Sequence, residues 1–416
     1  MRVALLAAVL VAAVNILLFV VPVYRNVLDP VSSTGTFETA RAGLSDFSAN
    51  AQTDVLVAGD SRIYSGLDPA AASSASGGKL RFVNASVPGT NPRCWYYFLN
   101  AVDPTARRFR ALVIPVDADG DDDSAIGSID GDQRQQDLHY VVFTVNPAQI
   151  PKLAMSFPGV QMQLTTAVDV LLRGPILRDD VQAFSANPRA RLESLEHASA
   201  AGFDPLAWHP RDESLRGMRV DFGTNTIAYP AGVSPGERIA MNEQVLRAAH
   251  PSQSYATYRR EWLYPIAQRY AAAGTPVILV RVPTRPAHRN AADPFSGTLQ
   301  ALAQSGLAYA LPTQPYLALE KPELFADHDH LDRAGSLRFS RLLGRDVARV
   351  LAAFHPNRAA PGAPASITAA NPPSALPWMR EAAGVGHPLE FQSYEFWIFV
   401  ALVALVFYLS PMAWRR

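Results

Sequence analysis

The sequence predicts an α/β fold: a parallel sheet with helices on both faces, interrupted by a central insertion and flanked by one transmembrane helix at each end. Three observations support this prediction. Short apolar runs rich in β-branched residues alternate with helical stretches, as buried parallel strands do. One long internal stretch fits neither pattern. Both ends of the chain carry apolar runs without charge that are long enough to span a bilayer.

The first apolar run covers residues 3–23 and follows Arg2. A cleaved signal peptide is the alternative, but the apolar core of a signal peptide is shorter and ends in small residues. This run instead ends in "FVVPVYRN". We therefore expect an uncleaved membrane anchor over residues 1–24.

Three apolar runs form the first half of the predicted sheet, and each leads into turn-forming residues. They are "TDVLVAG" (53–59), "LRFVNAS" (80–86) and "FRALVIPV" (109–116). Between the last two runs, "CWYYFLNAV" (94–102) has the composition of a buried helix.

Residues 121–250 look like an insertion into this α/β core, with helical pieces such as "VQMQLTTAVDVLLRG" (160–174). The acidic stretch over residues 120–137 is expected to be a solvated loop. A calcium site is the alternative, although the ligand positions of an EF-hand loop are not met.

The core resumes with a helix over residues 255–274 that stops at a glycine, and a strand over residues 275–283 follows it. A long amphipathic helix is expected over residues 330–354. The core domain therefore covers residues 45–355, and a Pro/Ala-rich linker follows it over residues 356–394.

The second transmembrane helix is expected over residues 395–414, where aromatic residues border an apolar run and Arg415 and Arg416 follow. Two spans place both termini on one side of the membrane, and the terminal arginines indicate the cytoplasmic side. The core domain is then expected in the periplasm, outside a bacterial inner membrane.

Composition excludes several classes of function. Lys plus Arg equals Asp plus Glu at 37 each, so no overall field favours nucleic acid as a partner. The single cysteine, Cys94, excludes an intrachain disulfide, a thiolate metal cluster and Cys-X-X-Cys redox chemistry. No cofactor is expected.

Gly59, Asp60, Ser61 and Arg62 come directly after the first predicted strand. They can simply form the turn that closes the strand. Alternatively, Ser61 is a nucleophile at the carboxyl edge of the sheet, where open α/β folds place their sites. A serine nucleophile needs a base, and the base needs a group that orients it.

The stretch "FADHDHLDRAG" (325–335) offers such a base just before the last core helix. Two residues separate Asp327 from His330, so in a turn the carboxylate can accept the Nδ1 proton of the imidazole. His328 is the competing base. A metal site made of both histidines with Asp327 and Asp329 is a further alternative, but we expect no metal, because no other cluster of ligands is apparent.

These stretches resemble known motifs. "GDSR", "FVNASVPGTN" and "DHDHLDRAG" look like the first, second and last blocks of the SGNH/GDSL hydrolase superfamily, whose sheet is flavodoxin-like. The resemblance implies that Ser61 is the nucleophile, His330 the base and Asp327 its orienting carboxylate. It also implies that the backbone amides of Ser61 and Gly89 form the oxyanion hole.

The third block departs from the superfamily pattern. "VDADG" (116–120) has Ala118 where an asparagine that donates to the oxyanion is expected, and Asp119 where aspartate is expected. Losing one such donor costs about 2.7–4 kcal/mol of transition-state stabilisation. Either the side chain of Asn91 replaces the missing donor, or the enzyme is slow, selective or inactive.

Membrane-anchored members of the superfamily include alginate O-acetylation proteins and the D-alanyl transfer protein of teichoic acids. This resemblance implies an acyltransferase or acyl esterase that modifies an envelope polysaccharide through an acyl-serine, beside a membrane-bound O-acyltransferase. A plain carboxylesterase or lipase-like hydrolase, and a catalytically weak scaffold or binding subunit, are the alternatives.

Three arginines are weaker candidates for binding an anionic substrate. Arg62 directly follows the nucleophile candidate, and an ion pair within the structure is its other interpretation. Arg281 and Arg285 lie near the end of the strand over residues 275–283, where they either bind substrate or face water.

Overall fold

The computed structural model describes the greater part of the predicted core domain. The described residues are 24–116, 131–211, 218–221, 226–246, 255–283, 302–327 and 330–354, together with Asn15, Phe19 and Thr224. They fall into two compact units. The smaller unit contains residues 145–193 with the described residues up to Leu28, and the larger unit contains residues 29–144 and the described residues from Ser194 onwards.

The larger unit contains a sheet of five parallel strands. Its order is β2-β1-β3-β6-β7, and every neighbouring pair is parallel. The strands β4 and β5 form a separate antiparallel hairpin. The bounds are β1 (Asp54–Val57), β2 (Arg81–Asn84), β3 (Ala111–Val116), β4 (Arg219–Asp221), β5 (Thr226–Ala228), β6 (Val277–Arg281) and β7 (Tyr309–Ala310).

Counted along the sheet alone, this order is 2-1-3-4-5, one of the two common orders of doubly wound folds. The expectation of a parallel α/β sheet is confirmed, and the four strands predicted from apolar runs are all present. The order of the strands switches direction between β1 and β3, and folds of this kind place their ligand sites at the carboxyl ends of the strands beside such a switch. Ser61 follows β1 at this edge of the sheet.

Helices connect and flank the strands. They are α1 (Ser33–Asp46), α2 (Ser61–Gly66), α3 (Pro69–Ala75), α4 (Pro92–Val102), α5 (Gly131–Val141), α6 (Ile150–Met155), α7 (Val160–Leu172), α8 (Gly174–Ala186), α9 (Pro188–Ala201), α10 (Pro235–Leu246), α11 (Tyr255–Ala272), α12 (Gln314–Leu317) and α13 (Arg333–Ala353). Short 3₁₀ turns cover Tyr24–Val27, Pro147–Gln149 and Pro322–Leu324.

The strand β1 shows how the sheet is covered. Successive side chains of a strand point to opposite faces. Val55 and Val57 belong to the apolar cluster that α2, α3 and α13 complete, while Leu56 is buried on the opposite side. Gly344 lets α13 approach α3 closely, since a Cβ there would lie 2.1 Å from a backbone oxygen of α3.

The predicted insertion, residues 121–250, is divided between the two units. Helix α5 packs on α1 and α4 in the larger unit, whereas α6, α7 and α8 belong to the smaller one. The prediction of a solvated loop over residues 120–137 is wrong from Gly131 onwards, because α5 begins there and the side chain of Asp137 is fully buried.

A buried polar contact holds the smaller unit together. The Tyr24 hydroxyl donates to Asp180 Oδ2 at 2.6 Å, and Arg191 Nη1 lies 3.1 Å from Asp180 Oδ1. Arg191 also donates to the backbone oxygen of Val27 at 2.9 Å. These contacts fix residues 24–28 against α8 and α9.

Both predicted transmembrane runs and the linker lie outside the described residues, apart from Asn15 and Phe19. In the part of the chain that the structure describes, no helix is both long enough and apolar enough to cross a membrane.

Candidate active site

The turn between β1 and α2 places Ser61 at the first position of a helix. Asp60 caps this helix, because its Oδ1 accepts the backbone N–H of Arg62 at 2.8 Å. Gly59 is required by packing, since a Cβ there would lie 2.8 Å from Ile63 Cβ. The partly exposed Ser61 is thereby presented at the carboxyl edge of the sheet.

Ser61, His330 and Asp327 form a continuous chain of hydrogen bonds. Ser61 Oγ lies 2.8 Å from His330 Nε2. On the other side of the imidazole, Nδ1 lies 2.8 Å from Asp327 Oδ1 and 2.9 Å from Oδ2. With its proton on Nδ1, the imidazole accepts the serine proton at Nε2, which is the arrangement that nucleophilic acyl transfer requires.

The base is held by a tight turn before α13. Asp327 Oδ1 also accepts the backbone N–H of His330 at 2.8 Å, and the N–H of Ala326 donates to the His330 carbonyl at 2.9 Å. Asp332 then caps α13 by accepting the N–H of Gly335 at 2.7 Å. Both Asp327 and His330 are buried, so the imidazole is fixed in one orientation.

Gly89 lies in the loop after β2 with a φ of +76°, a conformation that favours glycine. The Tyr140 hydroxyl of α5 fixes this loop by donating to the Pro88 carbonyl at 2.9 Å. Burial raises the pKa of Tyr140, so the hydroxyl stays protonated and keeps donating. A Cβ at Gly89 would lie 2.3 Å from the same hydroxyl oxygen.

The backbone amides of Ser61 and Gly89 are the candidate oxyanion donors. Neither amide has a hydrogen-bond partner among the described residues. Ser61 supplies an N–H at a helix start, where the helix itself leaves such groups unsatisfied.

The structure gives the Asn91 side chain a different task from the oxyanion donor that we expected. Its Oδ1 caps α4 by accepting the backbone N–H of Cys94 at 3.2 Å. Its Nδ2 donates to the buried Asp137 at 2.8 Å. Because both ends of the amide are engaged in the protein interior, the Asn91 side chain is not available as the replacement donor.

Two of the predicted substrate-binding arginines are engaged in ion pairs instead. Arg281 is buried, and its Nε donates to Glu320 Oε1 at 2.8 Å. Both side chains of this pair are only 1% exposed, which contradicts a role in contacting substrate or water. Arg62 Nε donates to Asp60 Oδ2 at 2.9 Å, which supports the turn before α2.

Several predicted site residues lie outside the described residues: Arg285, His328, Asp329, Ala118 and Asp119. Within the described ranges, no group of three His, Cys, Asp or Glu side chains could hold a metal ion. The structure therefore brings together the three triad candidates and leaves the competing base and the third block untested.

Arg211 is a site residue that the sequence did not reveal. Its Nη1 lies 2.7 Å from Asp327 Oδ2, on the side of the carboxylate away from the backbone of His330. Arg211 belongs to the predicted insertion and is 116 positions from Asp327 in sequence. No motif or spacing relates the two residues, so no local signal could have identified it.

No protein-family model matches the chain, and no curated protein matches it either. The interpretation of the site therefore depends on its geometry.

Proposed function

We propose that this chain is an SGNH-type serine acyltransferase or acyl esterase that modifies a cell-envelope polysaccharide through an acyl-Ser61 intermediate. The observation that carries the proposal is the hydrogen-bonded chain of Ser61, His330 and Asp327 at the carboxyl edge of a parallel sheet. Both halves of this arrangement, the "GDSR" turn and the "DHDH" turn, resemble blocks of the SGNH/GDSL superfamily.

In the proposed reaction, Ser61 Oγ attacks the acyl carbonyl carbon while His330 Nε2 takes the serine proton. Asp327 accepts the Nδ1 proton in a hydrogen bond and stabilises the imidazolium that forms. The N–H groups of Ser61 and Gly89 donate to the tetrahedral oxyanion. The intermediate then collapses to the acyl-serine, and His330 returns the proton to the leaving group.

The acyl-serine is resolved by the reverse sequence with a different nucleophile. His330 deprotonates a sugar hydroxyl, whose oxygen attacks the acyl carbon and releases Ser61 with its proton restored. The products are an O-acylated glycan and free enzyme. If water attacks instead, the product is a free carboxylic acid, and the enzyme is an esterase.

The envelope setting is supported by the two apolar runs and by the resemblance to anchored acyl-transfer proteins. Helices over residues 1–24 and 395–414 would hold the periplasmic domain near a membrane-bound O-acyltransferase, its proposed partner. Tethering both proteins to one membrane raises the local concentration of acyl donor. A catalytically weak scaffold subunit is the second candidate, and Ala118 in place of the expected asparagine favours it.

Labelling of the purified full-length chain with a fluorophosphonate probe tests the nucleophile and the base. We expect Ser61 to be labelled and Ser61→Ala to abolish labelling. Replacing His330 by Ala should slow labelling by roughly a thousandfold or more. The matched variant His328→Ala should label at close to the wild-type rate, because His330 already occupies the position beside Ser61 Oγ.

Absence of labelling in the wild type would contradict the enzymatic proposal and favour the scaffold subunit. Equal damage from His328→Ala and His330→Ala would contradict the assignment of the base. Incubation with an activated acyl ester, with and without glycan acceptors, then separates transfer from hydrolysis. A transferase yields acylated glycan, whereas an esterase yields only free acid.

A further inference from the structure

Residues 203–211, which we name the strap, contact the helix α2 that begins with the proposed nucleophile Ser61. The backbone N–H of Asn84, at the end of β2, donates to the Pro205 carbonyl at 2.8 Å. Trp208 Nε1 donates to the Ser65 carbonyl of α2 at 2.8 Å. The strap is therefore fixed to the sheet and to the helix that begins with Ser61.

Ring contacts reinforce the strap on both sides. The ring of His209 stacks on that of Tyr64 in α2, with centroids 4.5 Å apart and an interplanar angle of 1°. The Arg333 guanidinium of α13 lies 5.0 Å from the centre of the Trp208 ring. The strap thus contacts the helix that carries the nucleophile and the helix that follows the base.

The strap ends at Arg211, where backbone and side chain both contact the His330 segment. The Arg211 backbone forms a parallel bridge with Asp332, the cap of α13. Its guanidinium reaches Asp327 Oδ2 at 2.7 Å and is 44% exposed, while the Asp327 side chain is 8% exposed. The ion pair therefore joins a partly exposed guanidinium to a carboxylate that is buried in the proposed site.

We infer that Arg211 is a positioning residue for the proposed triad, and that it acts through Asp327. This inference rests on the proposed function. Each carboxylate oxygen has its own donor from the protein: the His330 backbone N–H for Oδ1 and the Arg211 guanidinium for Oδ2. These two donors fix the plane of the carboxylate, and the carboxylate fixes the imidazole.

Geometry, rather than bulk electrostatics, explains the expected effect of Arg211. Solvent screens an ion pair whose cation is this exposed, so its contribution to stability is small. Loss of the Oδ2 donor instead frees the carboxylate to rotate about its side chain. Misplacing a catalytic group by about 1 Å costs on the order of a hundredfold in rate. We therefore expect Arg211→Ala to slow acylation 10- to 100-fold, on the order set by such a displacement.

A double-mutant cycle on the full-length chain tests this inference. The rate of fluorophosphonate labelling at Ser61 and the melting temperature are measured for wild type, R211A, D327N and R211A/D327N. We expect R211A to slow labelling without lowering the melting temperature, and to have no further effect in the D327N background. Arg211→Lys, which keeps a cationic donor, should restore part of the rate, whereas Arg211→Gln should not.

Arg189→Ala is the matched control, because Arg189 forms an exposed ion pair with Glu193 in the smaller unit. It should label at the wild-type rate. A wild-type rate in R211A and R211Q, or equal slowing by R211A with and without Asp327, would overturn the inference while leaving the proposed function intact. If the wild type is not labelled, the proposed function fails, and this inference fails with it.

Discussion

The buried side chain of Asn91 makes structural contacts rather than the catalytic one that the superfamily resemblance suggests. The resemblance to a known superfamily leaves one oxyanion donor missing, and Asn91 lies two positions after Gly89. In the folded chain, however, its carbonyl oxygen caps α4 and its amide nitrogen binds Asp137. The contact with Asp137 joins the start of α4 to α5, the helix that also fixes the Gly89 loop through Tyr140.

Replacing Asn91 by Ala should therefore lower stability more than turnover. Loss of a cap and of one donor to a buried carboxylate should lower the free energy of unfolding by about 2 kcal/mol. Denaturant unfolding and the rate of Ser61 labelling are measured on the same protein. Asn91→Ser, which retains a cap oxygen, is the control and should recover part of the stability. A hundredfold slower but equally stable Asn91→Ala variant would restore Asn91 as an oxyanion donor.

The sequence could reveal only those site residues whose partners lie nearby or in a motif. Asp327 and His330 are three positions apart, and Ser61 directly follows a recognisable strand. Arg211 and Arg281 depend on contacts between distant segments, since Arg281 pairs with Glu320, 39 positions further along the chain. Charge alone does not distinguish a substrate-binding arginine from one buried in an ion pair.

At the scale of elements, a buried carboxylate secures the start of strand β1. Asp54 is fully buried, and Arg81 of β2 donates from Nε to its Oδ1 at 2.9 Å. The N–H of Asn50 and the hydroxyl of Thr53 donate to the same carboxylate. Burial by itself raises the pKa of Asp54, but these hydrogen bonds outweigh it and hold the pKa below its ordinary value.

Asp54→Asn should therefore destabilise the protein in a pH-dependent way. A depressed folded-state pKa stabilises the fold above the unfolded-state pKa, about 3.9, and this contribution is lost as the pH falls towards the folded-state value. We expect a loss of roughly 2 kcal/mol at pH 7 that shrinks below pH 3.9. Denaturant unfolding at pH 7 and at a pH below 3.9 checks this. Asp46→Asn, at an exposed position, should change little at either pH; a loss independent of pH would contradict the assignment.

The elements themselves were predictable to different degrees. Apolar runs predict the four buried strands β1, β2, β3 and β6, because parallel strands are covered on both faces. Strand β7 has two residues, and the hairpin β4–β5 is partly exposed, so neither has a distinct pattern. Helix α5 has no apolar pattern that would indicate a buried helix, because its sequence is polar, although it buries Leu138 and Asp137 against the core.

At the scale of the whole molecule, two segments of the predicted insertion support the proposed site. Helix α5 and the strap both belong to the larger unit, and each braces one part of the proposed site. Helix α5 holds the loop of Gly89, and the strap reaches Asp327. The insertion is therefore not an appendage to the α/β core, since its segments supply contacts that the sheet alone does not provide.

The proposed topology is tested by reporter fusions to the full-length chain. In the proposed topology, two spans without charge, with Arg415 and Arg416 after the second, would place both ends of the chain in the cytoplasm. A fluorescent protein that matures only in the cytoplasm should be active when fused after Arg416. Alkaline phosphatase, which is active only outside the inner membrane, should be active when inserted within residues 121–130, ahead of α5. Exchanging the two reporters is the control, and both exchanged fusions should be inactive. Phosphatase activity of the terminal fusion would contradict the two-span topology.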